Sequence, residues 1–447
     1  MRKGRVNCQS DLGIEPYRPG TGEPFDQKSV TAIGQTGKDD TMDAYVARQP
    51  IFDQKKNVFA YELLFRNSMD NYMPKIDGDT ATIKVLSSSF FTLGFDKMIG
   101  ETKAFVNFTR NLIVDKTPQF FPNEQTVVEI LEDVEPDDEI LECCQELKAK
   151  GYIIALDDFI SRPEMKPLVD LADIIKIDFM EVSIDNMEAY IEPLVGTGVR
   201  LLAEKVETHE EFERAIELGF ELFQGYFFCK PEIIKGREIP SSQLTILEIM
   251  AEANREEILF DKIKVIIERD VAISYKLLRY INSAFYKRIN EITTIKQALV
   301  ILGEAEIRRF VSMIALAQLV ADKPGELTLT SFIRAKFLEL LAKKSSVTGP
   351  QPDPPELFTL GLFSLIDAIL DQTMAHIMEK LPLSEAIDDA LIRGEGSLAI
   401  FLEIVRCYEK GLWAELSKAL TETGISEDSL PPLYLEACDW SNSLINT

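Results

Sequence analysis

The run Tyr152-Ile153-Ile154-Ala155-Leu156 leads straight into two adjacent carboxylates, Asp157 and Asp158. Such a pair is costly to bury without partners. Either it serves chemistry, or one of the two caps the next helix. Other short apolar runs end in the same way, on Glu62, Asn107, Glu129, Lys176 with Asp178, Glu204 and Gln224. Carboxylate and amide oxygens suit hard cations such as Mg²⁺, Mn²⁺ or Ca²⁺. The sequence has only two histidines, His209 and His376, and no paired cysteines, which argues against zinc. Several carboxylates accommodate two ions, which together activate water and stabilise the oxygens of an in-line phosphoester displacement. A lysine among them can orient hydroxide or neutralise developing charge. Taken alone, these residues point to metal-assisted hydrolysis or binding of a phosphodiester.

The elements that must hold them follow from patterning. An unalternating apolar run suits a strand buried on both faces, hence a parallel sheet covered by helices. Strands are expected at Tyr45–Ile51, Val58–Phe65, Ala104–Phe108, Thr126–Leu131, Tyr152–Leu156, Ile174–Ile177, Arg200–Ala203 and Glu221–Phe223. The first two read as a hairpin with Asp53–Asn57 as its turn. Helices are expected between most of the others, at Thr80–Leu93, Asp137–Lys150 and Thr208–Leu218. Alternating strands and helices predict an α/β (β/α)8 barrel of the TIM type, compact for that class. Functional side chains of such barrels gather at the C-terminal strand ends, where these polar residues fall.

Beyond Lys230-Pro231 the pattern becomes helical throughout. Helices are expected at Gln243–Asn254, Asp261–Arg269, Ala272–Ser283, Thr294–Leu302, Ala305–Ala321, Ser331–Ser345, Pro355–Leu370, Ser384–Ile392, Leu398–Gly411 and Ser426–Leu444. Three parts result: a flexible lead over residues 1–42, a barrel domain over 43–236, and an all-α domain over 237–447. A length of 447 residues fits two or three domains. The formal charge of −26 excludes general affinity for nucleic acid or anionic membranes. A phosphate ligand must then be held locally, by cations. No apolar stretch reaches membrane-spanning length, and no apolar leader follows Met1-Arg2-Lys3. With six unpaired cysteines, this predicts a cytoplasmic protein.

The motifs also resemble those of EAL domains. Tyr61-Glu62-Leu63-Leu64-Phe65-Arg66 is similar to the naming signature, with Leu63 in place of Ala. Asn107 within Phe105–Thr109, Glu129 within Val128–Glu132, Asp157-Asp158-Phe159, Ile175–Asp178, Ala203–Thr208, and Gln224-Gly225-Tyr226 with Lys230-Pro231 resemble the later motifs in order. The resemblance covers about 43–236. It implies a phosphodiesterase that opens cyclic di-GMP to linear pGpG with Mg²⁺ or Mn²⁺, in a two-metal site. Glu62, Asn107, Glu129, Asp157 and Asp158 would hold metal. Lys176 would act on the attacking water, Glu204 would complete the constellation, and Gln224 would sit beside substrate or water. Gln49 and Arg66 would touch the dinucleotide. The chain departs from the family at Ile160–Glu164, which replaces a Gly-containing loop that Glu132 would brace, and at Lys205, which replaces a Gly. Two readings therefore stand side by side. One is an active enzyme. The other is a cyclic di-GMP receptor or scaffold with weak or no turnover.

The helical half resembles the HDOD domain over about 240–440, in Leu277–Ala284 and Thr294–Gly303. HDOD domains are relatives of HD phosphohydrolases without their metal ligands, and His376 as the one histidine of this half agrees with that. The resemblance implies an interaction or output module with a protein partner not identified by sequence, and allows a homodimer. Arg308 and Arg309 are read either as a partner surface or as a solvated helix face. The whole arrangement resembles bacterial signalling proteins of the YuxH type.

Overall fold

The computed structural model describes residues 45–66, 98–159, 162–182, 184–232, 241–254, 277–278, 280–281, 292, 295–319, 324–346, 351–381 and 383–445. The expected lead over 1–42, the helices Thr80–Leu93 and Asp261–Arg269, and most of Ala272–Ser283 lie outside the described residues. So do Ile160 and the side chain of Arg66.

Eight strands close a barrel in chain order. They are β1 (Tyr45–Asp53), β2 (Val58–Arg66), β3 (Lys103–Phe108), β4 (Thr126–Ile130), β5 (Ile153–Leu156), β6 (Ile174–Asp178), β7 (Arg200–Glu204) and β8 (Leu222–Gln224). All eight expected strands are present. Strands β2 to β8 pair in parallel, whereas β1 runs antiparallel to both β2 and β8. The reversal is the expected hairpin. The Asp53 carboxylate accepts from the backbone N–H groups of Lys55 and Asn57 at 2.8 Å each and closes the turn. A hairpin needs no crossover helix, which is one reason the barrel is short.

Period-two alternation then builds the interior in layers. Ile51, Ala60, Phe105, Val127, Ala155, Ile174, Leu202 and Leu222 form an apolar inner plug. Two residues further toward the same rim, each strand supplies a polar group: Glu62, Asn107, Glu129, Asp157, Lys176, Glu204 and Gln224. On the reversed β1 the equivalent step goes backward in sequence, from Ile51 to Gln49.

Helices around the barrel include α1 (Arg110–Val114), α2 (Asp138–Ala149), α3 (Lys166–Val169), α4 (Ile184–Ile191) and α5 (His209–Glu217). Asp137 caps α2, with Asp138 and Glu139 in its first turn and Lys148 in its last. Thr208 and Glu211 form a capping box on α5.

Among the described residues, the elements of the second half are helical: α6 (Ser241–Ala253), α7 (Ile295–Leu319), α8 (Gly325–Ala342), α9 (Pro354–Phe363), α10 (Ile366–Leu370), α11 (Met374–Met378), α12 (Glu385–Asp388), α13 (Ala399–Lys410), α14 (Trp413–Thr423) and α15 (Leu430–Ile445). Helix α7 breaks at Gly303 (φ 72°, ψ 177°), where the expected helices meet. The expected Pro355–Leu370 helix is interrupted between Phe363 and Ile366. Helix α14 was not expected, although Leu416, Ala419, Leu420 and Thr423 carry its buried stripe. Arg309 fits neither expected role. Its guanidinium pairs with Glu306 at 2.9 Å and Glu339 at 3.1 Å and lies over the Phe358 ring, tying three helices together. Residues 42–447 form one compact unit, so barrel and helices share a continuous core.

Candidate active site

The polar layer at the barrel rim is a connected network. Lys176 on β6 is almost fully buried, and its Nζ donates to Glu129. It also lies 2.7 Å from Asp157 Oδ1, 2.7 Å from Glu204 Oε1 and 3.4 Å from Glu62 Oε2. Gln224 Nε2 donates to Glu62 Oε2 at 2.7 Å and to Gln49 Oε1 at 2.9 Å. Asn107 Nδ2 reaches Glu62 Oε1 at 3.4 Å. Seven strands thus converge on one cluster, and β1 adds Gln49.

The electrostatics follow from burial and count. Four carboxylates face one ammonium. Burial opposes the charge on Lys176, but Glu129, Glu204, Glu62 and Asp157 outweigh it and keep the ammonium firmly protonated. Burial drives Glu129 well above the usual carboxylate range and Glu204 up to about 8, against the pull of Lys176. Burial also opposes ionisation of Asp157, yet Lys176 holds its carboxyl below the usual range. The cluster has excess negative charge.

Its hydrogen bonding is also incomplete on the acceptor side. Among the described residues, Asn107 Oδ1, Glu129 Oε2, Glu204 Oε2 and Gln224 Oε1 are buried without a donor. Orphaned buried acceptors are expensive. Buried oxygens with surplus negative charge are what a divalent cation requires, so the donor set fits a hard divalent cation.

The backbone beside the cluster is unusual at two strand ends. Asp158, just after β5, has φ 36°, and Lys205, just after β7, has φ 55°. Side chains other than Gly enter this region at a cost of about 1–2 kcal/mol. That explains why a Gly would suit position 205. Lys205 uses its side chain instead to pair with the buried Asp178. Burial and neighbouring Asp157 raise the Asp158 carboxyl, while Lys205 and Lys176 pull the other way.

Oxygens of Asp158, Asp157 and Glu132 lie within 4.8 Å of one another. Glu132, read from sequence only as a brace, is thereby added to the neighbourhood. Its signal was its place three residues after Glu129. Arg162 lines the same crevice, and Pro163–Met165 forms a single 3₁₀ turn. Gln49, a candidate for touching the dinucleotide, has both amide atoms engaged, Oε1 by Gln224 and Nε2 by the Glu409 carbonyl at 3.3 Å. His376 is a half-exposed surface side chain near Glu379.

The fold and site define the class: an EAL barrel joined to an HDOD domain. The EAL domain model matches residues 97–231 and the HDOD domain model residues 239–385. The first match begins after the β1–β2 hairpin, which nonetheless completes the barrel. The chain belongs to the family of EAL–HDOD proteins. It is 36% identical over 410 residues to the cyclic di-GMP phosphodiesterase CdgJ of Vibrio cholerae, covering 91% of this chain and 94% of that one. It is 35% identical over 413 residues to YuxH of Bacillus subtilis, covering 91% of this chain and all of that one. An EAL domain protein from Listeria monocytogenes of solved structure is 20% identical, over 42% of this chain and 87% of that one, with a TM-score of 0.36.

Proposed function

We propose that this protein is a metal-dependent phosphodiesterase that hydrolyses cyclic di-GMP to linear pGpG, with the helical half as its interaction or output module. The observation that carries the reading is the buried ring of Glu62, Asn107, Glu129, Asp157, Lys176, Glu204 and Gln224, with its surplus charge and orphaned oxygens. Similarity to CdgJ over most of both chains supports the substrate. Glu62, Asn107, Glu129 and Asp157 would hold Mg²⁺ or Mn²⁺, with Asp158 at a second ion. Bound there, the cation supplies charge neutralisation for the phosphodiester and a more acidic water.

The chain's own groups do the rest. Lys176 keeps its proton, so it serves as a fixed positive charge and hydrogen-bond donor rather than a base. Glu204, 2.7 Å from the Lys176 ammonium, completes the constellation beside the attacking water. Gln224 fixes the orientation of Glu62. The same reading places the protein in the cytoplasm; among the described residues no helix is long and apolar enough to cross a membrane.

The second reading, binding without turnover, draws on Lys205. Its ammonium faces Asp178 and Asp158, where it competes with a second cation. One experiment separates the two. Purified protein with Mn²⁺ is expected to convert cyclic di-GMP to pGpG, and Glu62→Ala to lower the rate by roughly 10³-fold. Product from the wild type no faster than from the variant would overturn the enzyme reading.

A further inference from the structure

The helical half reaches the catalytic ring through a hydrogen-bonded line. The last carbonyls of a helix lack intrahelical donors. In α13, the Cys407 and Tyr408 carbonyls accept from Leu412 and Gly411. The Glu409 carbonyl is taken instead by Gln49 Nε2 of the barrel, at 3.3 Å. Gln49 Oε1 accepts from Gln224 Nε2, which also donates to Glu62 Oε2. A helix end in one half is thus three hydrogen bonds from a carboxylate in the other.

This helix end is firmly held. The buried Glu409 carboxylate is gripped by Arg334 of α8 through Nε at 2.9 and 3.1 Å and Nη2 at 2.6 Å. Arg334 Nη1 donates to Ser364 Oγ at 3.2 Å. The Arg334 backbone packs so closely on Gly361 of α9 that a Cβ there would lie 2.6 Å away. Beyond Glu409, Lys410 lies over the Tyr226 ring, and a Cβ added at Gly411 would lie 3.3 Å from Leu64 Cδ1. Outward-facing neighbours of the same two strands are held as well, since Tyr61 donates to Glu326 at 2.6 Å and Arg48 lies 3.8 Å from it.

We propose that Gln49 is a positioning residue that ties the last turn of α13 to the Glu62 carboxylate, so that displacement of the helical half alters the catalytic ring. The inference rests on the phosphodiesterase reading for its effect on rate, but not for its effect on structure. Gln49 acts through Gln224 and Glu62 and need not touch the dinucleotide. Gln49→Leu removes both hydrogen bonds at similar volume. Glu409→Gln loosens the Arg334 clamp without touching the barrel.

The test uses the full chain carrying Gln49→Leu, Glu409→Gln and both together, with two readouts: kcat and KM for cyclic di-GMP, and deuterium uptake of peptides spanning 58–66 and 222–226. Each single change is expected to lower kcat about tenfold with KM within about twofold, and to raise uptake in both peptides. The double variant should equal Gln49→Leu alone, because both changes act on one line. Additive effects, or a change in KM alone, would overturn the proposal. If the wild type shows no turnover, the phosphodiesterase reading fails and the uptake data decide: raised, non-additive uptake supports the line, and unchanged or additive uptake removes it. Where Glu409→Gln folds poorly, Gly411→Ala, at φ 66° and with a Cβ that would lie 3.3 Å from Leu64, strains the same helix end and is held to the same outcomes.

Discussion

Lys176 shows most directly how one side chain sets the chemistry. A buried ammonium is costly alone, and so are three buried carboxylates beside the half-buried Asp157. Together they remain unbalanced, because one positive charge faces Glu62, Glu129, Asp157 and Glu204. An anionic dinucleotide entering this ring meets net repulsion unless further cations are present. Chelation is therefore expected to weaken cyclic di-GMP binding by at least about tenfold, measured by calorimetry with and without EDTA. Equal affinity under both conditions would contradict the site. At this scale the sequence was informative. The ring residues were all legible as polar groups at the ends of apolar runs. What it did not reveal was that Glu132 gathers with Asp157 and Asp158, because a left-handed φ at a non-Gly residue such as Asp158 leaves no mark in composition.

At the scale of elements, the barrel rests on alternation and on a few tight joins. Gly225, directly after Gln224, has φ 145°, and a Cβ there would lie 2.0 Å from the Val206 carbonyl oxygen. The backbone hydrogen bond from Val206 N–H to the Gln224 carbonyl, 2.9 Å, joins β8 to the end of β7 at this point. Gly225→Ala is expected to destabilise the protein by roughly 4 kcal/mol or more, or to prevent folding, as read by thermal melting. A melting temperature within a degree of wild type would refute the close approach. Strands were readable from the sequence because each is a short unbroken apolar run that ends on a polar residue. Helix limits in the second half were harder. Buried helices there are apolar on most sides, so their starts and breaks, as at Phe363–Ile366, are set by neighbours.

At the scale of the whole molecule, the helical half is packed against the β1–β2 hairpin. Tyr61 Oη donates to the fully buried Glu326, which also faces Arg48. Tyr61→Phe leaves that carboxylate short of a donor and is expected to cost roughly 1–3 kcal/mol. Because the contact joins both halves, melting followed by far-ultraviolet dichroism and by aromatic fluorescence should shift downward together. A shift confined to one half, or none, would show that the two halves are not coupled through this contact.

The sequence by itself determined the barrel, its opening hairpin, the helical second half and the ring of polar side chains around one lysine. These follow from unbroken apolar runs, from amphipathic helical stretches and from residue types at strand ends, which are local properties. Only the tertiary structure decided that Gln49 is shared between Gln224 and the end of α13, that Arg309 ties helices rather than facing solvent, and that Glu132 lies beside Asp157 and Asp158. Each of these depends on residues far apart in the chain, such as Gln49 and Glu409, whose meeting is fixed by packing of a shared core and leaves no periodic signal.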